Sequence, residues 1–309
     1  MIGYVIRRLL GLIPVVWGLG TVVFFMQHLL PGDPVQIMLG FAYNERSAAV
    51  LRESLGLNDP LWEQYLRYWW NLLQGDMGRS MQTRVPVMEM ITAQFPATLT
   101  LSLAGMGFAV LLGGVLGLIA AVKVRTWFDS GTMVLALVGI SIPSFWLGLL
   151  LILVFSVGLS WFPITGQGGL NRLVLPAIAV GLPQAAIIAR LVRSSMLEVL
   201  GADYLTTARA KGVAERAVIM RHALRNALVP VVTVVGLQFG ALMGGTVVIE
   251  NVFAREGLGR LTVQSIMLRD IPVVQGAVLF LGVTYVLVNL VVDLCYSWLD
   301  PRIRVGAAK

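Results

Sequence analysis

Six apolar runs punctuate this chain and leave it few folds to choose from. They lie near residues 9–30, 97–122, 131–157, 175–190, 228–248 and 274–298. About 20 mostly apolar residues suffice for a helix to cross hydrocarbon. All but the fourth reach that length, and the fourth continues into a more polar stretch. Inside a bilayer each backbone N–H and C=O must be bonded within the protein, which favours helices over open sheets. The length of 309 residues would suit two soluble domains of about 150 residues each. A 57% hydrophobic and 13% charged composition excludes that reading, because too little polar surface remains to cover a soluble globule. The mean hydropathy of +0.83 agrees. The predicted fold class is an all-α membrane protein of six transmembrane helices, with an external segment between the first and second.

Charge sets the expected orientation. Arg7 and Arg8 precede the first run, Lys123 and Arg125 follow the second, and seven basic residues lie from Arg190 to Arg225. With three more in the tail, 14 of the 23 Lys and Arg fall on one side, as the excess of basic residues in cytoplasmic loops requires. Residues 31–96 carry five basic against seven acidic side chains and read as external. Both termini are therefore expected in the cytoplasm. The first run exceeds the apolar core of a secretory signal, so it reads as a span. The formal charge of +7 sits at span ends, as topology signals do, which argues against nucleic acid as a partner. The expected division is 1–30 for the N-terminal tail and first span, and 31–96 for the external segment. A five-span core follows at 97–298, with a cytoplasmic loop at 199–227 and a tail at 299–309.

Within this frame the polar residues are few. Asp59-Pro60 reads as N-cap and first position of a helix bearing Leu61, Trp62, Tyr65, Leu66, Trp69, Trp70 and Leu73. Its aromatics suit a membrane–water interface, or packing on the outer ends of the spans. Gly113-x-x-x-Gly117 gives the second span a small face for close helix approach. Proline interrupts the third and fourth spans at Pro143 and Pro183, tolerable where neighbours or water satisfy the freed carbonyl. At mid-membrane depth the polar side chains are mostly neutral: Ser141, Ser144, Gln184, Gln238 and Asn289. They form the candidate path through the helices, and each could equally be interhelical glue. Asp293, near the inner end of the last span, reads as a bond to neighbouring backbone or helix.

No catalytic constellation is present and no metal site is expected. Cys295, His28 and His222 make no ligand cluster, and no His-Glu-x-x-His occurs. No Gly-Lys dipeptide occurs either, so the chain has no Walker A loop, and any ATP that drives it belongs to another subunit.

The segment from Asp203 to Pro230 is too polar for hydrocarbon. Leu197, Leu200, Tyr204 and Ala208 recur at helical spacing, and Gly212 is a natural left-handed C-cap. Val213, Ala217, Met220 and Leu224 form one face of a second short helix. Ala208 and Ala210 keep the surface low, which suits a knuckle offered to a cytosolic partner.

Tyr204-Leu-Thr-Thr-Ala-Arg-Ala-Lys-Gly212, followed by His222-Ala-Leu-Arg-Asn-Ala-Leu-Val-Pro230, resembles the cytoplasmic loop of bacterial ABC-importer permeases. The branch is that of the first, "B-type" permeases for dipeptides, oligopeptides, nickel and glutathione. Thr206-Thr207-Ala208 stands where the general loop pattern has Glu-Ala-Ala, a departure that itself resembles the peptide branch. Leu30-Pro-Gly-Asp-Pro34, Gly75-Asp-Met-Gly-Arg-Ser80, Glu250-Asn-Val-Phe253 and Gly257-Leu-Gly-Arg-Leu261 extend the likeness along nearly the whole chain. It implies a type I ABC-importer permease in the bacterial cytoplasmic (inner) membrane, importing dipeptides, oligopeptides or glutathione. It further implies a homologous second permease, two subunits that bind ATP and Mg, and an external substrate-binding protein. The chain itself is then no enzyme and holds no cofactor. Tyr204, Thr206, Thr207, Ala208, Arg209, Ala210, Lys211, Gly212, Val213 and Glu215 would form the ATPase-coupling loop. The alternatives are an ion- or proton-coupled secondary carrier, a nickel-complex permease, or a membrane scaffold; poverty of buried charge argues against the carrier.

Overall fold

A computed structural model describes residues 2–29, 34–39 and 43–299. The described chain is helical throughout, and its one β feature is an isolated bridge between Arg79 and Pro86. In order the helices are α1 (Ile2–Leu29), α2 (Pro34–Leu39), α3 (Glu45–Ser54), α4 (Leu61–Leu73), α5 (Val87–Val122) and α6 (Trp127–Ser141). Then come α7 (Ser144–Gly158), α8 (Val174–Leu200), α9 (Asp203–Ala210), α10 (Glu215–Gly245), α11 (Val247–Val252), α12 (Leu258–Met267) and α13 (Ile271–Leu299). Five helices are long and apolar enough to cross a membrane: α1, α5, α8, α10 and α13. The pair α6 and α7 passes the same test together but is bent by 101°. Most of the Leu30–Pro34 motif and the tail from 300 on lie outside the described residues, as do the side chains of Asp293 and Cys295.

Several features differ from the sequence reading. Pro183, expected to interrupt the fourth span, lies inside a continuous α8, and the helical spacing from Leu197 to Ala208 is split between α8 and α9 at 201–202. The second span is the inner part of a 36-residue helix that starts at Val87 and runs through Pro96. Proline deletes one backbone bond there, a cost the long apolar helix carries. The third span, by contrast, is broken where the sequence reading put its interruption: Ile142 takes an extended conformation (φ −81°, ψ 122°) because the ring of Pro143 disfavours helix in the residue before it. The second short helix expected in the 199–227 loop is no separate element. It continues from Glu215 into α10, with π-type turns at Val218–Ala223. A smaller shift occurs at α4, where Pro60 is the N-cap and the Asp59 carboxylate is engaged by Arg67.

The chain divides into two compact units. One comprises residues 98–255 together with those from 285 on. Its core is built around α8, whose Ala185, Ile188, Val192 and Met196 are buried among side chains of α5 and α10. Glycine lets α5 approach α8 to backbone contact. A Cβ on Gly113 would lie 2.4 Å from the Ala185 carbonyl oxygen, and one on Gly117 2.5 Å from that of Ala189. The small face of α5 is a packing seam. Beyond α10, Glu250 is fully buried and accepts bonds from the hydroxyls of Thr98 (2.6 Å) and Thr246 (3.2 Å), which hold α11 in place. Burial pushes the nearby Arg255 guanidinium pKa down, and the Glu250 carboxylate pulls it back up.

The other unit comprises residues 2–97 and 256–284. Val87, Ile91, Leu258, Leu261 and Val273 form its core. The Gly75–Ser80 motif has a structural explanation in it. Ser80 and Asp270, both buried, are joined side chain to side chain, and Asp270 also accepts the Met81 N–H at 3.0 Å. The Ser80 hydroxyl in turn accepts the N–H groups of Gln82 and Thr83. This clasp ties the 75–86 loop to the turn before α13.

Candidate functional site

The 199–227 loop is a helix, a reversal and a second helix, and each part has a visible cause. Helix α8 ends at Gly201, and α9 begins two residues later. Leu205, fully buried, plugs α9 into the core beside Val218 and Ala223. At the other end Gly212 adopts φ +78°. Its N–H bonds to the Arg209 carbonyl at 2.9 Å, and the Val213 N–H bonds to that of Ala208 at 3.2 Å. Nothing lies within 4 Å of a Cβ placed on Gly212, so the left-handed backbone, not crowding, calls for glycine. Arg209 and Glu215 close over this reversal with two bonds of 3.1 and 3.0 Å. Tyr204 binds the start of α10: its hydroxyl accepts from the Asn226 amide at 2.8 Å, and that amide also donates to the His222 carbonyl.

The outward surface of this knuckle carries Thr206, Thr207, Arg209, Ala210 and Lys211, all exposed. Ala208 and Val213 are half-buried and pack against the chain's own core. The small size of Ala208 therefore serves internal packing, whereas Ala210 keeps the exposed surface low.

Of the five candidate path residues, two are joined. The Gln184 amide oxygen accepts from the Gln238 amide at 2.7 Å, linking α8 to α10. Ser141 and Ser144 flank the Pro143 break; the Ser141 hydroxyl is spent on the Leu137 carbonyl of its own helix at 2.9 Å. Asn289 of α13 stands against Gly240 of α10, with its side-chain oxygen buried and without a hydrogen-bond partner among the described residues.

One pair escaped the sequence reading. Arg193 of α8 grips Asp129 of α6 through two bonds, Nη2 to Oδ2 at 2.8 Å and Nε to Oδ1, while the Arg125 N–H donates to the same carboxylate. The pair fastens α6 to α8 about two turns before α8 ends. The sequence shows each charge beside an apolar run, Asp129 before the third and Arg193 after the fourth, but not that the two meet. Arg193 had been counted only as a topology marker.

Comparison with known proteins covers nearly the whole chain. Residues 113–305 match the family described as "Binding-protein-dependent transport system inner membrane component". Residues 1–103 match "Binding-prot-dependent transport system membrane comp, N-term". The glutathione transport system permease protein GsiC of Salmonella paratyphi A is 47% identical over 304 residues, 98% of this chain and 99% of its own. Its namesake from Escherichia coli K12 is 46% identical over the same span. Among solved structures, the inward-facing MetNI methionine ABC transporter superposes with a TM-score of 0.55 at 18% identity, covering 69% of this chain and 97% of the other. A second crystal form gives 0.56 at 20% identity.

Proposed function

The chain belongs to the family of binding-protein-dependent transport system inner membrane components, and on that footing we propose that its cargo is glutathione and similarly short peptides. It is the multi-pass pore subunit of an ABC importer and not an enzyme; ATP hydrolysis is the work of separate subunits. The observation that carries the cargo reading is identity of 46–47%, over nearly the full length, to permeases named for glutathione. The assembly we infer adds a homologous second permease, two ATP-binding subunits and an external binding protein. In it the termini and the α9 knuckle face the cytoplasm.

Nucleotide binding supplies closure of the ATPase pair, and the residues of this chain convert that motion into movement of the spans. Thr206, Thr207, Arg209, Ala210 and Lys211 meet the ATPase surface. The left-handed turn at Gly212 and the Arg209–Glu215 clamp fix the angle between α9 and α10. Tyr204, through Asn226, and Leu205 keep α9 from moving independently of the core. Arg193 and Asp129 pass the displacement to α6. The neutral dipoles of Ser144, Gln184, Gln238 and Asn289 then offer an anionic tripeptide contacts that neither repel nor trap it. The transition is a population shift between two arrangements of the spans, biased by partner contacts.

The test is reconstitution of the complete transporter in proteoliposomes, with uptake of labelled glutathione and of a labelled dipeptide. ATP-dependent glutathione uptake is the expected result; dipeptide uptake without glutathione uptake would refute the cargo. Gly212→Val, strained by at least ~1 kcal/mol at a left-handed position, should lower uptake and binding-protein-stimulated hydrolysis together. Gly212→Asn, which tolerates that backbone, should retain most of both. Normal coupling in Gly212→Val would reduce the loop to an inside anchor.

A further inference from the structure

Helix α4 has three faces, and the structure accounts for two. Tyr65, Tyr68 and Trp69 lie against α1. The Tyr65 hydroxyl bonds that of Thr21 at 2.8 Å, and the rings of Tyr65 and Tyr68 lie 5.2 and 5.4 Å from Phe24. Gly20 is bare where Trp69 arrives: a Cβ there would sit 2.6 Å from the indole. The second face carries Gln64, Arg67 and Asn71, which border a cavity of about 910 Å³ together with Arg52, Arg79 and Arg84. That face is polar and suits water. The third face carries Trp62, Leu66, Trp70 and Leu73, spaced by four, four and three residues. Their exposures are 62%, 58%, 66% and 79%, and no charged side chain interrupts the stripe.

Depth decides what covers this stripe. The apolar membrane window of α1 runs from Arg8 to Met26. Gly20 lies six residues inside its end, about 9 Å at 1.5 Å per residue for a helix along the membrane normal. A helix whose tryptophan reaches Gly20 is therefore at bilayer depth, within the ~5–10 Å to which interfacial amphipathic helices bury their apolar faces. Two tryptophans beside a Glu, Gln, Arg and Asn arc are the composition of such a helix. We propose that α4 is embedded in the leaflet at the C-terminal end of α1. Phospholipid acyl chains cover Trp62, Leu66, Trp70 and Leu73, and the arginine-bordered cavity faces the headgroups and water. The segment between the first two spans is thus anchored in the membrane in its own right and is no freely standing external domain.

Spin labels test this in the assembled transporter, in nanodiscs of phosphatidylethanolamine and phosphatidylglycerol. Single cysteines replace Leu66, Leu73, Glu63 or Asn71 in a Cys295→Ala background, and each nitroxide is saturated in the presence of oxygen or a water-soluble nickel chelate. The expected result is oxygen accessibility well above nickel accessibility at positions 66 and 73, with the order reversed at 63 and 71. Nickel access at 66 and 73 would place the stripe in water and overturn the proposal. Inaccessibility to both reagents would mean that protein, such as the second permease, covers it, and would overturn it equally.

Discussion

The Asp129 side chain keeps only 7% of its surface exposed while that of Arg193 keeps 26%, so the two ends of their ion pair are not equivalent. Without Arg193 the carboxylate is left buried with one backbone N–H from Arg125; without Asp129 the arginine can extend its head towards water along its flexible stem. Arg193→Ala should therefore cost about 3 kcal/mol, the scale of an uncompensated buried charge, and Asp129→Ala about 1 kcal/mol. The double variant should recover much of the loss of Arg193→Ala. Thermal unfolding of the detergent-solubilised chain measures this, and equal losses in the two single variants would mean that the pair is solvated. The sequence made other residues easier to read. Gly212 was legible because a glycine closing a helical pattern has a single common use. Asp129 was not, because its partner lies 64 positions away, and only tertiary packing of two apolar helices brings the charges together.

At the level of elements, α5 and α8 meet through glycines that differ sharply in what surrounds them. A methyl group on Gly117 would press on the Ala189 carbonyl at 2.5 Å and on Val192 at 2.8 Å, whereas one on Gly114 would meet nothing within 4 Å. Gly117→Ala should destabilise by ~1–3 kcal/mol through overpacking. Gly114→Ala should be neutral or slightly stabilising, since alanine favours helix over glycine. Comparing the membrane abundance and unfolding midpoint of the two variants checks the seam; indistinguishable variants would mean that α5 and α8 are not in backbone contact. The seam was visible in sequence as Gly113-x-x-x-Gly117, but its target was not. Proline was a mixed signal. Pro183, read as an interruption, is accommodated inside a continuous α8, whereas Pro143 breaks its span with a bend of 101°. Proline alone cannot separate these outcomes, because the cost depends on whether neighbouring helices hold the chain straight through it.

For the whole molecule, hydropathy made the helical membrane class plain, yet a helix pair bent by 101° could be one crossing or a loop that returns to its own side. The glycine seam resolves this by direction. Gly113 faces Ala185 and Gly117 faces Ala189, so a step of four residues along α5 is matched by a step of four along α8. Contacts that advance together along both helices mean that α5 and α8 run in the same direction. A chain that ends one crossing and starts the next in the same direction must return in between, and residues 123–173 contain only α6 and α7 to do so. The bent pair therefore carries the chain back across the membrane between α5 and α8. Reporter fusions at Thr126 and Gln167 should accordingly read on opposite sides. A like reading from both would mean that α5 and α8 do not pack as parallel neighbours. Two missing side chains, at positions 113 and 117, thus decide that a bent helix pair is a passage through the bilayer.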